Sequence, residues 1–183
     1  MANKSKSSQK SKLPVFPITV IIILVALVGF AWMYGKKESA KEIPVSAEPL
    51  MVDSVSQRLE AYRGKVVILD IWATWCGPCR LEIPDFIKLQ NQYRSQGLEI
   101  IGVSVDPVDA RGGAGAAAVT PFMKSTGINY TIWMINNGVA LGPYPMGQGI
   151  PTTYVIDRNG RVAQKYVGVQ PLSRFETDIK ALL

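Results

Sequence analysis

The chain's two cysteines stand three residues apart, in Trp75-Cys76-Gly77-Pro78-Cys79. At the start of a helix, positions i and i+3 can bring Cα atoms within the roughly 4.4–6.8 Å that a disulfide requires, so the pair can cycle between dithiol and disulfide. Cys76 would sit at the helix N-terminus, where unpaired N–H groups and the macrodipole stabilise a thiolate and make it the attacking sulfur. Cys79, one turn further in, would be the more buried thiol and would resolve a mixed disulfide. Pro78 suits the first helical turn and stiffens the link between the sulfurs. Two other uses stay open on spacing alone. The thiolates could hold Cu(I), with Met146 as a third sulfur, or the pair could be merely structural. A structural zinc site wants four Cys or His ligands, and the sequence has two cysteines and no histidine. The missing histidine also removes Ser-His-Asp triads and imidazole bases.

Asp70 interrupts the apolar run Val66 to Ala73, six residues before Cys76. A charge there is costly unless neutralised or paired. A buried carboxyl of raised pKa beside a buried thiol would take up the Cys79 proton; the alternative is a solvated carboxylate at a sheet edge. Trp72 and Trp75 read as packing and site-wall residues. Arg111 to Gly115 is Gly-rich but lacks the Gly-Lys-Ser/Thr ending of a phosphate-binding loop. It reads as a plain loop.

The elements that must position these groups follow from apolar periodicity. Ser54 to Tyr62 fits a short helix, Val66 to Ala73 a strand buried on both faces, and Cys76 to about Gln96 a helix ended by Gly97 with Pro84 as a kink. Leu98 to Val105 is a second buried strand, giving a βαβ unit with parallel strands. Val119 to Thr126 predicts a short helix with Pro121 in its first turn, and Tyr130 to Ile135 a strand. Residues 136–149 form a Gly/Pro-rich loop. Thr152 to Asp157 and Arg161 to Val167 flank the Arg158-Asn159-Gly160 turn of a hairpin. Pro171 to Leu183 is an amphipathic helix with Leu172, Phe175, Ile179 and Leu182 on one face. The fold class is therefore an α/β sandwich with a mixed sheet.

At 183 residues the chain has room for one globular unit plus accessories. Its net charge of +6 is unevenly spread: residues 1–50 carry seven lysines against three glutamates, residues 51–183 thirteen Lys or Arg against eleven Asp or Glu. That near balance in the body gives no footing for nucleic-acid binding. Residues 1–12 form a basic tail and 13–35 an apolar segment. A helix from about Pro17 to Gly35 would be roughly 28 Å long, close to the hydrocarbon thickness of a bilayer. Trp32 and Tyr34 would lie at the interface, and the basic flank sets the N-terminus inside. A cleaved signal peptide would have a shorter apolar stretch and small residues after it, so 13–35 reads as an uncleaved signal anchor. Residues 36–50 are a spacer, and 51–183 the folded domain.

The segment Asp70-Ile71-Trp72-Ala73-Thr74-Trp75-Cys76-Gly77-Pro78-Cys79-Arg80 resembles the active-site stretch of the thioredoxin superfamily. Pro84 matches the proline of the following helix, and Ile150-Pro151-Thr152 resembles the family's cis-proline segment. Gly160 and Gly168 fall at its hairpin turn and following glycine, so the resemblance covers about residues 60–183. The Gly64-Lys65 lead-in, Arg80-Leu81-Glu82-Ile83-Pro84, and Pro151-Thr152-Thr153 with Ile156 to Gly160 are similar to the TlpA/ResA-like branch. At Asp70 and Gly77-Pro78 the chain is thioredoxin-like instead, and Gly102 stands where a lysine is expected beside Asp70.

This resemblance implies a thioredoxin fold with an insertion, over about residues 106–149, before the cis-proline segment. It implies a membrane-anchored thiol–disulfide oxidoreductase of the bacterial inner (cytoplasmic) membrane, single-pass, with its catalytic domain periplasmic. The implied catalytic residues are Cys76, Cys79 and Asp70, and the implied substrate-binding residues Trp75, Gly77, Pro78, Ile150 and Pro151. No cofactor and no metal are called for. The implied partners are client proteins with disulfides, such as apocytochrome c in cytochrome c maturation or copper-site proteins, and a membrane thiol electron donor. With Pro151 cis, its segment would pair with an extended client backbone over Cys76, and Asn136 to Gly149 would tune client choice. The Gly-Pro dipeptide favours a reductant, since thioredoxin lies near −270 mV and the oxidant DsbA near about −120 mV. A disulfide oxidant or isomerase and a membrane-tethered Cu(I)-binding chaperone are the rival readings.

Overall fold

The computed structural model describes residues 45–46, 48–107 and 113–183, together with 20, 22–23 and 25–27. The chain divides into two units, residues 1–41 and 42–183. The described residues of the first are helical and exposed. The expected tail lies wholly, and the expected anchor and spacer for the larger part, outside the described residues, and among those described no helix is long and apolar enough to cross a membrane.

The second unit is built on one six-stranded sheet. Along the chain run β1 (Leu50–Met51), α1 (Val55–Leu59), β2 (Val66–Trp72), α2 (Gly77–Tyr93), β3 (Leu98–Ser104), α3 (Gly113–Thr126), β4 (Thr131–Met134), β5 (Thr152–Ile156), β6 (Val162–Val167) and α4 (Leu172–Leu182). Short 3-10 turns cover Glu60–Tyr62, Arg94–Gln96 and Gly138–Leu141. The strand order is β1-β4-β3-β2-β5-β6. The first four strands in that order are parallel, while β5 runs antiparallel to both β2 and β6. The expected mixed sheet is thus present.

Strand alternation divides the core into two layers. Val66, Ile68 and Trp72 face a layer that includes Cys79, Ile83, Phe86 and Leu89 of α2, Val119 of α3 and Phe175 and Ile179 of α4. Val67, Leu69 and Ile71 face the other layer, with Val55, Leu59, Trp133, Leu141 and Tyr144. Asp70, in the first phase of that alternation, points toward α2.

The long helix α2 runs through Pro84 and gives way to a 3-10 turn closed by Gly97, whose φ of 106° is left-handed and strained for any residue with a Cβ. The ends of the chain's elements are gathered by Arg158, which donates to the carbonyls of Gly64 (2.8 Å), Gln96 (3.3 Å) and Leu183 (2.7 Å). Lys65 and Glu99 form a buried pair at 2.7 Å between the starts of β2 and β3, and Gln90 of α2 donates to the same carboxylate.

Two sequence expectations need correction. The Gly-rich run to Gly115 is not loop to its end, because α3 already begins at Gly113 and Pro121 lies inside it rather than in its first turn. The glycine there serves close packing: a Cβ on Gly115 would fall 2.5 Å from Met134 Cε and 3.0 Å from the Pro107 carbonyl oxygen. The loop over 136–149 also contains a 3-10 turn, which buries Ala140 and Leu141.

Candidate active site

Cys76 is the N-cap of α2, in extended conformation, with Gly77 and Pro78 opening the helix. Its sulfur is bonded to Cys79, with the two Cα atoms 5.3 Å apart. The Cys79 N–H points at Cys76 Sγ from 3.2 Å. A thiolate at Cys76 would therefore receive a backbone donor as well as the helix field. Cys79 is the deeper of the two, 1% exposed against 5%. Trp75, just outside the helix, is 64% exposed and forms a wall of the site.

The loop that sets Cys76 in place is held from β3. Asp106 accepts from the Thr74 N–H (2.9 Å), the Thr74 hydroxyl (2.5 Å) and the Ser104 hydroxyl (2.8 Å). From the other side comes the segment before β5. Its Ile150–Pro151 peptide bond is cis, and the Ile150 carbonyl oxygen lies 3.8 Å from Cys76 Sγ. In the disulfide state this is a contact; once reduced, the thiol has a proton to donate there. Gly168 N–H donates to the Pro151 carbonyl at 2.8 Å, fixing the segment from the β6 side. Trp75, Gly77 and Pro78 adjoin the sulfurs along the chain, and Ile150, with the cis bond to Pro151, approaches Cys76 from the segment before β5.

Two acids, Asp70 of β2 and Glu82 of α2, are buried in the core layer that holds Cys79. Asp70 is 1% exposed in the middle of β2, paired with Gly102 on one side and Thr153 on the other. The sheet-edge alternative is overturned, since β2 is interior to the sheet. Burial pushes the Asp70 carboxyl well above its usual range, the nearby Glu82 charge adds to this, and the Thr153 hydroxyl, 3.3 Å away, pulls back. A Cβ on Gly102 would meet Ile132 Cδ1 and Trp72 Nε1, both at 2.7 Å, so the Trp72 indole fills the space a lysine would need.

Glu82 was not singled out from sequence. It lies on α2 three residues after Cys79, on the same buried face, and is 2% exposed. Oε1 accepts from the Gln170 N–H at 2.8 Å, while Oε2 is buried with no partner among the described residues. Burial raises its pKa to about 7, Asp85 adding slightly and the Gln170 bond opposing. The signal was available: Cys79, Glu82, Ile83 and Phe86 form an i, i+3, i+4, i+7 stripe, and a carboxyl inside such a stripe must be buried. Tyr130 completes the layer, its phenol pushed far up by burial and by the charges of Asp70 and Glu82.

Among the described residues no group of three or more His, Cys, Asp or Glu is arranged to hold a metal ion. The arrangement instead suits two-electron exchange: a front sulfur with backbone donors, a rear sulfur, and acids of raised pKa beside it.

The comparisons agree with this geometry. The model of the AhpC/TSA family matches residues 42–165. The thiol-disulfide oxidoreductase ResA of Oceanobacillus iheyensis is 31% identical over 181 residues, covering 94% of this chain and 90% of the relative. ResA of Bacillus subtilis is 30% identical over 154 residues, or 81% of this chain and 82% of the relative. Among solved structures, a putative thiol:disulfide interchange protein DsbE from Chlorobium tepidum superposes with a TM-score of 0.58 at 31% identity, over 68% of this chain and 84% of that one.

Proposed function

The chain belongs to the AhpC/TSA family of thioredoxin-like proteins and is a thiol–disulfide oxidoreductase of the ResA type; from that premise we propose that it reduces disulfides of client proteins outside the cytoplasm. The observation that carries the reading is Cys76 at the N-cap of α2, facing the Ile150–Pro151 segment, with Cys79 and the buried acids behind it.

Reduced Cys76, as thiolate, attacks one sulfur of the client disulfide. That S–S bond breaks, and the departing client thiolate takes a proton from solvent. In the mixed disulfide, Cys79 gives its proton to the acid layer. Glu82 is the acceptor, because it lies one turn from Cys79 on the same buried face of α2 and its carboxyl, raised by burial to about 7, is partly ionised near neutral pH. The Cys79 thiolate then attacks Cys76 Sγ, closing the disulfide and releasing the second client thiolate. Two electrons pass from the dithiol to the client. A thiol donor restores the pair by the reverse exchange.

The sequence of residues 13–35 supports an uncleaved anchor in a bacterial cytoplasmic membrane, N-terminus inside, with the catalytic domain in the periplasm or its equivalent. In such an oxidising compartment a dedicated reductant needs a membrane thiol donor. Its clients are a limited set of disulfides, with apocytochrome c and copper-site proteins as the first to try. The equilibrium reduction potential of Cys76/Cys79 in the full-length protein tests the direction of electron flow. A value at or below about −250 mV is expected, and one above about −180 mV would make the protein an oxidant or isomerase.

A further inference from the structure

The chain delivers Cys76 to the start of α2 through a tight turn over Ala73 to Cys76, closed by the Cys76 N–H donating to the Ala73 carbonyl at 3.1 Å. Thr74 and Trp75 are the corners of that turn. One side chain from outside the turn grips it. Asp106, two residues past the end of β3, takes the Thr74 N–H at 2.9 Å on Oδ2 and the Thr74 hydroxyl at 2.5 Å on Oδ1. The carboxylate is itself fixed. Oδ2 also accepts from the Ser104 hydroxyl at 2.8 Å, and the Asp106 N–H donates back to that hydroxyl at 3.1 Å. Asp106 is 3% exposed and Ser104 fully buried. The Val105 N–H, donating to the Trp72 carbonyl at 2.9 Å, carries the β2–β3 pairing up to this point, so the grip stands on the sheet. Asp106 also borders a groove of about 520 Å3 lined by Trp75, Ile135, Met146 and Ile150. The hold on Thr74 therefore sets one wall of that groove as well.

What holds Cys76 differs between the redox states. In the disulfide, the bond to Cys79 Sγ ties the sulfur to α2. In the dithiol that tie is gone. Cys76 then depends on its own turn and on its place at the N-cap, where the Arg80 N–H donates to its carbonyl at 3.2 Å. The donor that favours a Cys76 thiolate, the Cys79 N–H, meets the sulfur only while that geometry persists. A turn gripped from the sheet matters more after reduction than before it.

We infer that Asp106 and Thr74 are positioning residues for the attacking sulfur: their paired hydrogen bonds hold the turn so that reduced Cys76 keeps its backbone donor. The inference rests on the reading of Cys76 as the attacking sulfur of a reductase, and adds the groups that keep it ready. Its consequence has a sign. A contact that only stabilises the fold acts equally on both redox states and leaves the reduction potential where it was. This one stabilises the dithiol more, so its loss moves the potential to more negative values.

The test is the equilibrium reduction potential of Cys76/Cys79 in the full-length protein and three variants, each poised against a dithiothreitol couple. Thr74→Val keeps the N–H bond and the side-chain shape but removes the hydroxyl. It is expected to disfavour the dithiol about tenfold, which is ~30 mV toward more negative values in a two-electron couple. Thr74→Ser restores the hydroxyl and should stay within about twofold, or ~9 mV, of the parent. Asp106→Asn, which keeps one acceptor oxygen, should fall between the parent and Thr74→Val. A Thr74→Val value within twofold of the parent overturns the inference. So does a Thr74→Ser shift as large as that of Thr74→Val, since the hydroxyl is then not responsible. A shift of Asp106→Asn to less negative values also overturns it, because the acid would then act by its charge. Urea unfolding of the oxidised and reduced forms checks the same quantity by difference: Thr74→Val should cost the reduced form more, and equal losses in both forms overturn the inference. The parent's own potential judges the direction of electron flow and the shifts judge the grip, so either can fail without the other.

Discussion

Glu82→Gln isolates the energetic cost of keeping a carboxyl behind the disulfide. Burial moves this group from 4.5 to about 7. Its folded value lies above its unfolded one, so its favourable contribution is complete below 4.5 and is lost as pH rises through about 7. At ~1.4 kcal/mol per pH unit, the displacement sets an upper bound of ~3.4 kcal/mol against the folded state in alkali, which solvent screening lowers to about 2 kcal/mol. Glutamine keeps an oxygen for the Gln170 N–H and cannot ionise. It also relieves Asp70 of a neighbouring charge, which acts in the same direction. Urea unfolding of the oxidised full-length protein is the assay. Near pH 8.5 the Gln variant should be more stable than the parent by about 2 kcal/mol, and near pH 4 the two should agree within about 0.5 kcal/mol. A gap of the same size at both pH values, or a less stable Gln variant in alkali, would refute the assignment of a raised pKa to this group.

The proton route gives a kinetic counterpart: at neutral pH Glu82→Gln should slow resolution of a mixed disulfide about 100-fold, and Asp70→Asn by clearly less, as read by stopped-flow release of client thiol; the reverse order would make Asp70 the acceptor. Cys79→Ser should leave attack by Cys76 intact but block resolution, so clients accumulate as adducts on non-reducing gels; an adduct-free variant would count against Cys76 as the attacking sulfur. Away from the site, Lys65→Met removes the 2.7 Å partner of the buried Glu99 carboxylate, leaving it Gln90 and the longer Arg94 contact at 4.0 Å, and should cost about 3 kcal/mol in urea unfolding. Replacing both partners by apolar residues should recover most of that loss.

Much of the site was legible because its residues break local rules in a short stretch. Asp70 violates an apolar strand, and two cysteines sit at a helix start with a proline between them. The strands of the sheet were equally legible, since β2 and β3 are continuous apolar runs buried on both faces. Glu82 escaped because a glutamate in a helix is ordinarily a solvated residue; only the stripe from Cys79 to Phe86 turns it inward. The early start of α3 escaped for a related reason. Glycine and alanine read as loop when taken singly, yet here they let the helix approach Met134 and residues 106–107, a contact fixed by tertiary packing. The groove could not be read at all, because its walls come from Trp75, residues 105–107, the end of β4 and the 146–150 segment.

The indoles of the folded unit differ sharply in their access to water: Trp72 and Trp133 are 1% and 2% exposed, Trp75 64%. A collisional quencher such as iodide or acrylamide would reach Trp75 and leave the other two dark to it. Within residues 42–183, and so apart from Trp32, the quenchable fraction of the emission thus belongs to the residue that stands between the sulfurs and the groove. Residues 42–183 thus carry an intrinsic optical reporter of what rests on the catalytic face, readable without a label and separable from the signal of the core.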